Sequence, residues 1–159
     1  GAAIVRCMPN TPAAIGEGMM VTYANAEVTP AAMDGINALL KQNGAVAAIS
    51  SEDLMDAVTA VSGSGPAYVF HFIEALTAAG ISAGLPAETA DLLARQTVLG
   101  AARLAFESGE APGRLREQVT SPNGTTAAAL AILMGDNRLK ILMEEAVEAA
   151  RLRSVELGS

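Results

Sequence analysis

The pattern of apolar and polar residues changes character near residue 50. Before that point, three short apolar runs predict strands, and the segment between the second and third runs predicts a helix. This helix, 29–44, has Thr29 as a candidate N-cap, Pro30 at the first helical position and Gly44 at its end. The apolar runs are residues 3–7, 18–24 and 45–50.

Beyond residue 50 the sequence has no strand pattern, and its periodic segments favour helices. The predicted helices are 51–61, 66–79, 86–108, 112–119, 125–134 and 136–157. The chain is therefore expected to be mainly α, with an α/β segment at 1–50 followed by an all-helical domain at 51–159.

The helix predicted at 66–79 is apolar around most of its circumference. Its large apolar side chains are Tyr68, Val69, Phe70, Phe72, Ile73 and Leu76. A helix that is apolar nearly all round must be covered on all sides, and a domain of about 110 residues buries only about two-thirds of its surface. We therefore expect a second copy of the chain to cover this helix, in an apolar and obligate homodimer.

Charge and cysteine content narrow the class of protein. The chain of 159 residues carries a formal net charge of −7, which disfavours nucleic acid or an anionic membrane as a partner. No apolar run is long enough to span a bilayer. Cys7 is the only cysteine, so no intrachain disulfide can form and a reducing, cytoplasmic setting is favoured. His71 is the only histidine, so no metal site is predicted.

The segment TSPNGTT, residues 120–126, interrupts the helical pattern with polar and turn-forming residues. Ser121-Pro122 ends the preceding helix and Asn123-Gly124 favours a turn. Either Gly124 or Thr125 can then cap a new helix whose free N–H groups point into the turn, which is an arrangement that binds anions. No lysine or arginine lies between Glu117 and Arg138, so a single carboxylate fits better than a polyphosphate. A plain connector between helices is the alternative.

Two further glycine- or proline-bearing segments are candidates. SGSGPAY, residues 62–68, carries Gly63 and Gly65 but has Tyr68 where a dinucleotide-binding fingerprint needs a third glycine. We therefore expect a helix–helix junction, in which the glycines allow unusual backbone angles. MPNTP, residues 8–12, follows a predicted strand, where Asn10 and Thr11 would either contact a ligand or form a plain loop.

The segments VRCMPNTPAAIGEGM (5–19), AVSGSGPAYVF (60–70) and TSPNGTTAAAL (120–130), in this order and spacing, resemble pyrroline-5-carboxylate reductase. The resemblance covers essentially the whole chain and matches the C-terminal portion of that family. It implies the last strands and helix of a Rossmann-type α/β domain at 1–50. It also implies a helical dimerisation and substrate-binding domain at 51–159, of the 6-phosphogluconate-dehydrogenase C-terminal type. Two such domains would intertwine, and in many members five dimers form a ring.

The resemblance further implies that 1-pyrroline-5-carboxylate is reduced to L-proline with NADPH or NADH, a reaction of proline biosynthesis. Carried over by motif, Ser121, Asn123, Gly124 and Thr125 would hold the substrate carboxylate. Thr126 would be the catalytic residue, through a hydrogen bond from its hydroxyl to the ring nitrogen.

In the same family the turn matched by Pro9, Asn10 and Thr11 lies beside the nicotinamide end of the cofactor. The sequence contains no G-x-G-x-x-G element, so these 159 residues alone are expected to bind no cofactor. An alternative stays open, in which the chain is a helical self-association module that is inactive by itself.

Overall fold

A computed structural model describes residues 1–158. The strands are β1 Val5–Met8, β2 Gly18–Ala24 and β3 Gly44–Ala48. The α-helices are α1 Pro30–Leu40, α2 Met55–Val58, α3 Gly65–Ser82, α4 Ala87–Ser108, α5 Pro112–Gln118, α6 Thr125–Met134 and α7 Arg138–Gly158. Within the described residues every strand precedes residue 50, and the prediction of a mainly α fold with a small α/β segment is confirmed.

The chain divides into two compact units. The first contains residues 1–68 and the segment that begins at Glu144, and the second contains residues 69–143. The domain boundary at residue 50 stays a prediction.

The first unit is organised around β2, the central strand of a three-stranded sheet. β1 pairs with β2 antiparallel, and β3 pairs with β2 parallel after the α1 crossover. The consecutive residues Met20, Val21 and Thr22 are all buried. Because successive strand residues point to opposite faces, both faces of β2 are covered, as is usual for a strand inside an α/β sheet. The buried Thr22 hydroxyl donates a hydrogen bond to the carbonyl of Ala47, 3.3 Å away.

The start of α1 follows the capping prediction. Thr29 is the N-cap, and its hydroxyl accepts a hydrogen bond from the Ala32 amide at 3.3 Å. Pro30 occupies the first turn, where a missing N–H costs nothing. The helix ends at Leu40, earlier than predicted, and a 3₁₀ turn at Lys41–Asn43 leads directly into β3.

Two glycines let the backbones of β2 and β3 approach closely where their parallel pairing begins. Gly44 pairs with Gly18 and has φ of 138°, a conformation that side chains disfavour. A Cβ on Gly44 would lie 2.5 Å from the nitrogen and 2.7 Å from the carbonyl carbon of Gly18. A Cβ on Gly18 would in turn lie 2.6 Å from the Cα of Ala13. These close approaches determine the residues at which β2 and β3 begin to pair.

The segment around SGSGPAY forms the expected helix–helix junction, but not with the expected glycine angles. A 3₁₀ turn at Glu52–Leu54 leads through α2 into a π-helical turn, Thr59–Gly63, and α3 begins at Gly65. Neither Gly63 nor Gly65 has a positive φ, so the expectation of unusual glycine angles was wrong. The helical turn instead widens at Thr59–Gly63 to accommodate an extra residue, directly before the junction at Ser64.

The second unit contains little buried side-chain volume of its own. Of residues 69–143, only Ala90 and Ala94 are buried. A Cβ on Gly80 would lie 3.2 Å from the Cβ of Ala90, so α3 and α4 pack through small residues. Within residues 1–158, none of the helices combines the length and hydropathy needed to cross a bilayer.

The glycine contact at the start of the sheet yields a test of stability. We expect Gly44→Ala to lower the free energy of unfolding by about 2 kcal/mol or more, because it adds left-handed strain and a backbone clash. The matched control is Gly35→Ala inside α1, where a new Cβ meets nothing within 4 Å. That control should gain about 0.5–1 kcal/mol from helix propensity. Equal urea midpoints for Gly44→Ala and the unmodified protein would contradict the contact.

Candidate functional site

The loop between α5 and α6 lies in the second unit. It begins where two hydrogen bonds from Thr120 close the end of α5. The Thr120 amide donates to the Glu117 carbonyl at 3.0 Å, and the Thr120 hydroxyl donates to the Arg116 carbonyl at 2.5 Å. These bonds use two carbonyls that the end of a helix leaves free. The chain therefore leaves α5 in a defined direction.

Residues Ser121 to Gly124 form a hydrogen-bonded turn. The Gly124 amide donates to the Ser121 carbonyl at 3.0 Å. Pro122 occupies the second position, and Asn123 occupies the third with φ of 59°. A proline followed by a residue with positive φ is typical of a type II turn, and asparagine tolerates this conformation better than most residues.

Gly124 is the N-cap of α6 and must be small. Its φ of −79° and ψ of 173° are open to any residue, so backbone freedom is not the reason. A Cβ at this position would collide with the hydroxyl of Ser121 and lie 3.1 Å from the Ser121 carbonyl oxygen. The glycine therefore leaves room for the Ser121 hydroxyl beside the start of α6.

The start of α6 presents unpaired amides beside that hydroxyl. The first bond of the helix joins the Ala128 amide to the Gly124 carbonyl at 3.2 Å. The amides of Thr125, Thr126 and Ala127 therefore have no helical acceptor, and no side chain in the described residues caps them. Such amides, together with the helix dipole, bind anions. The site predicted from the sequence ended at Thr126. The amide of Ala127 belongs with it, because the first turn of a helix leaves this amide without a helical acceptor as well.

The turn after β1 lies in the first unit. Asn10 is half-buried, whereas Pro9 and Thr11 are exposed on either side of it. The Asn10 Oδ1 accepts from the Met19 amide at 2.8 Å, and its Nδ2 donates to the Ser62 carbonyl at 3.2 Å. The Asn10 carboxamide is therefore used inside the protein, while its two neighbours face outward.

The predicted site residues thus form two local groups. Ser121, Asn123, Gly124, Thr125 and Thr126 share one turn and helix start in the second unit, and residues 9–11 share one turn in the first. Their roles in binding and catalysis stay predictions. Sequence reasoning missed the link from Asn10 to Ser62, because these residues are 52 positions apart and no local pattern connects them.

The remaining titratable candidates have ordinary surroundings. His71 Nδ1 lies 3.1 Å from a Glu74 carboxylate oxygen, and both side chains are exposed. Partial burial raises the pKa of the Cys7 thiol, which makes it a poorer nucleophile. Within residues 1–158 no group of three or more His, Cys, Asp or Glu side chains is arranged to hold a metal ion.

Comparison with known proteins gives consistent matches. Residues 52–157 match the family model described as pyrroline-5-carboxylate reductase dimerisation. A pyrroline-5-carboxylate reductase of Pseudomonas aeruginosa is 49% identical over 155 residues, which are 98% of this chain and 56% of that protein. The chain thus spans little more than half the length of this relative.

Solved structures give the same picture. A pyrroline-5-carboxylate reductase from Coxiella burnetii matches with a TM-score of 0.94 and 44% identity, over 98% of this chain and 57% of that one. The pyrroline carboxylate reductase of Plasmodium falciparum, solved with NADP bound, matches with a TM-score of 0.87 and 38% identity. That match covers 99% of this chain and 62% of the Plasmodium chain.

The contact between Ser121 and Gly124 can be tested with a double-mutant cycle. We expect Gly124→Ala to cost about 1–2 kcal/mol of unfolding free energy, because the new methyl group displaces the Ser121 hydroxyl and alanine is a poorer N-cap. In a Ser121→Ala background the same change should cost at least about 0.5 kcal/mol less. The control is Gly113→Ala in α5, where a Cβ meets nothing within 4 Å. Strict additivity in urea unfolding would count against the contact.

Proposed function

We propose, because the chain belongs to the pyrroline-5-carboxylate reductase dimerisation family, that the complete protein carrying these residues reduces 1-pyrroline-5-carboxylate to L-proline with NADPH or NADH. The observation that carries this proposal is the start of α6. Its unpaired amides and the neighbouring hydroxyls match a substrate with one carboxylate beside a ring nitrogen.

The carboxylate would be held without a cationic side chain from this segment. The amides of Thr125, Thr126 and Ala127 point out of the first turn of α6, and the Ser121 hydroxyl lies beside Gly124. Several oriented N–H and O–H donors, aided by the helix dipole, neutralise one negative charge well. Asn123 acts through its left-handed backbone, which brings the chain round to place Gly124 and Thr125.

Thr126 would contact the ring nitrogen next to the bound carboxylate. Its side chain is half-buried on the first turn of α6, so a substrate held there would have the hydroxyl within reach. NADPH or NADH, when bound, supplies the hydride that adds to the imine carbon, and the nitrogen gains one proton. A threonine hydroxyl positions this nitrogen or relays its proton rather than acting as an independent acid, because its own acidity is very weak.

The turn after β1 fits one end of that cofactor. Pro9 and Thr11 are exposed at the carboxyl end of a strand, the usual location of ligands in α/β sheets. A proline ring and a threonine methyl group provide a small apolar surface for a flat ring. The residues that would hold the pyrophosphate and read the ribose are not found in this sequence, so the choice between NADPH and NADH is not encoded here.

Self-association is part of the same proposal. Large apolar side chains of α3 and α4 stand exposed on the single chain, Phe70 at 59% and Leu92 at 65% among them. Phe70, Ile73 and Ile81 also line an open groove of about 410 Å³ between these helices. A second copy would cover these side chains, as the name of the family model indicates. The homodimer is the proposed unit, and a ring of five dimers is its proposed larger form.

The second candidate is the inactive self-association module. It is favoured for these 159 residues taken alone, because the apolar helices are present and a G-x-G-x-x-G element is absent from the sequence. Nucleic acid and membrane are not proposed as partners of either candidate. A cytoplasmic location is proposed for both, since Cys7 is a free thiol.

Kinetics of the complete protein would test the reductase proposal. We expect Thr126→Ala to lower kcat by about 30- to 1000-fold, the equivalent of about 2–4 kcal/mol of lost transition-state stabilisation. Thr126→Ser keeps the hydroxyl and should retain most of the activity. The matched control is Thr89→Ala, an exposed threonine in the first turn of α4. If Thr126→Ala turned over like the unmodified protein and lost only stability, the loop would be a connector.

Sedimentation velocity would test self-association. At micromolar concentration we expect a dimer or larger, and Phe70→Glu should shift it towards monomer, because a carboxylate cannot be buried in an apolar interface without a partner. Gln42→Glu adds the same charge on an exposed site of the first unit and should leave the mass unchanged. A folded monomer of the unmodified protein would refute the proposed dimer.

A further inference from the structure

The carboxamide of Asn10 joins three separate segments of the first unit. It lies in the turn after β1, accepts from the Met19 amide in β2 at 2.8 Å, and donates to the Ser62 carbonyl in the π-helical turn at 3.2 Å. Reversing the amide would place its NH₂ group against an N–H donor and its oxygen against a carbonyl. The two bonds therefore fix the orientation of the side chain.

The π-helical turn on the far side of this bridge is held by donors from outside it. A widened turn offers carbonyls that other groups can use. The Ser64 amide pairs with the Thr59 carbonyl at 2.8 Å, closing the turn. The Asn10 Nδ2 donates to the Ser62 carbonyl, and the Tyr68 hydroxyl donates to the Ala60 carbonyl at 3.0 Å. Two side chains therefore specify the position of this turn.

We propose that Asn10 is a positioning residue of the reductase, which holds the exposed Pro9 and Thr11 in fixed register with β2 and the π-helical turn. Pro9 and Thr11 face the cofactor, and the Asn10 carboxamide acts through them without touching it. This inference rests on the proposed reductase function. Displacements of about 1 Å between reacting groups are enough to reduce turnover strongly.

Asn25 provides a matched control. Its Oδ1 accepts from the Ile4 amide at 3.1 Å and its Nδ2 donates to the Ala2 carbonyl at 2.9 Å. Both Asn10→Asp and Asn25→Asp keep the acceptor, remove the donor and add one negative charge. The two substitutions thus make the same chemical change at bridges with different partners.

The experiment measures kinetics and thermal unfolding of the complete protein, with pyrroline-5-carboxylate and NADPH as the reactants. Asn10→Asp should lower kcat at least about tenfold, with both KM values within about twofold of the unmodified protein. Its Tm should fall further than that of Asn25→Asp, because the bonds of Asn10 are part-buried and those of Asn25 are exposed. Both kcat values are measured well below both Tm values, and Asn25→Asp should keep normal kcat. A higher KM for NADPH with normal kcat would show direct cofactor contact and overturn the proposal. Equal loss of kcat in the two variants would overturn it as well.

Hydrogen exchange separates this proposal from the reductase function itself. In Asn10→Ala the Met19 amide loses its acceptor, so its exchange should accelerate at least tenfold relative to other β2 amides. Unchanged exchange would overturn the bridge whatever the kinetics. An unmodified protein that does not reduce pyrroline-5-carboxylate would refute the proposed function, and with it the role of Asn10 in turnover, while the exchange result would still report the bridge.

Discussion

Helices α3 and α4 approach one another through the small residues Gly80 and Ala90, and the exposure of the large apolar side chains on these two helices follows from this constraint. A methyl group on Gly80 would be in tight contact with the Cβ of Ala90, 3.2 Å away. Ala90 and Ala94 are the buried residues of the unit. Because the interior positions hold small side chains, the leucines and phenylalanines of the same helices lie on the surface of the single chain. Apolar burial is the main favourable term in folding, so cover by a second copy, as proposed, would supply much of the stability of this unit.

The proposed carboxylate site lies at the start of a strongly apolar helix. In α6 the only polar side chains belong to Thr125 and Thr126, and every later residue as far as Met134 is apolar. The body of the helix is suited to burial, while its N-terminal amides remain available. If a second copy covers the body, water is displaced near those amides, and their attraction for a carboxylate becomes stronger.

Features encoded in a few adjacent residues were predicted well from the sequence. The starts of α1 and α6 follow from Thr29-Pro30 and from Asn123-Gly124, because a cap or a turn needs only neighbouring residues. The span of β2, Gly18–Ala24, also agrees with the predicted run. The site loop was predicted as a turn with free amides, and its geometry has that form.

Features that depend on distant residues were not predictable in this way. The SGSGPAY segment was expected to contain glycines with unusual angles, yet it begins within a π-helical turn whose position depends on the distant Asn10. The φ of 138° at Gly44 results from its contact with Gly18 on another strand. Local propensity contains no information on such pairings, which tertiary packing decides.

These distant contacts together locate the turn after β1. The close approach of Gly44 to Gly18 determines where β2 and β3 begin to pair. The close approach of Gly18 to Ala13 holds the 3₁₀ turn Thr11–Ile15 against β2. Asn10 then ties the near end of that turn to Met19 and Ser62. A ligand-contacting segment restrained at several points has little conformational entropy left to lose on binding. In the proposed reductase, the tight glycine contacts of the sheet would therefore contribute to function by preorganising a surface that lies outside the sheet itself.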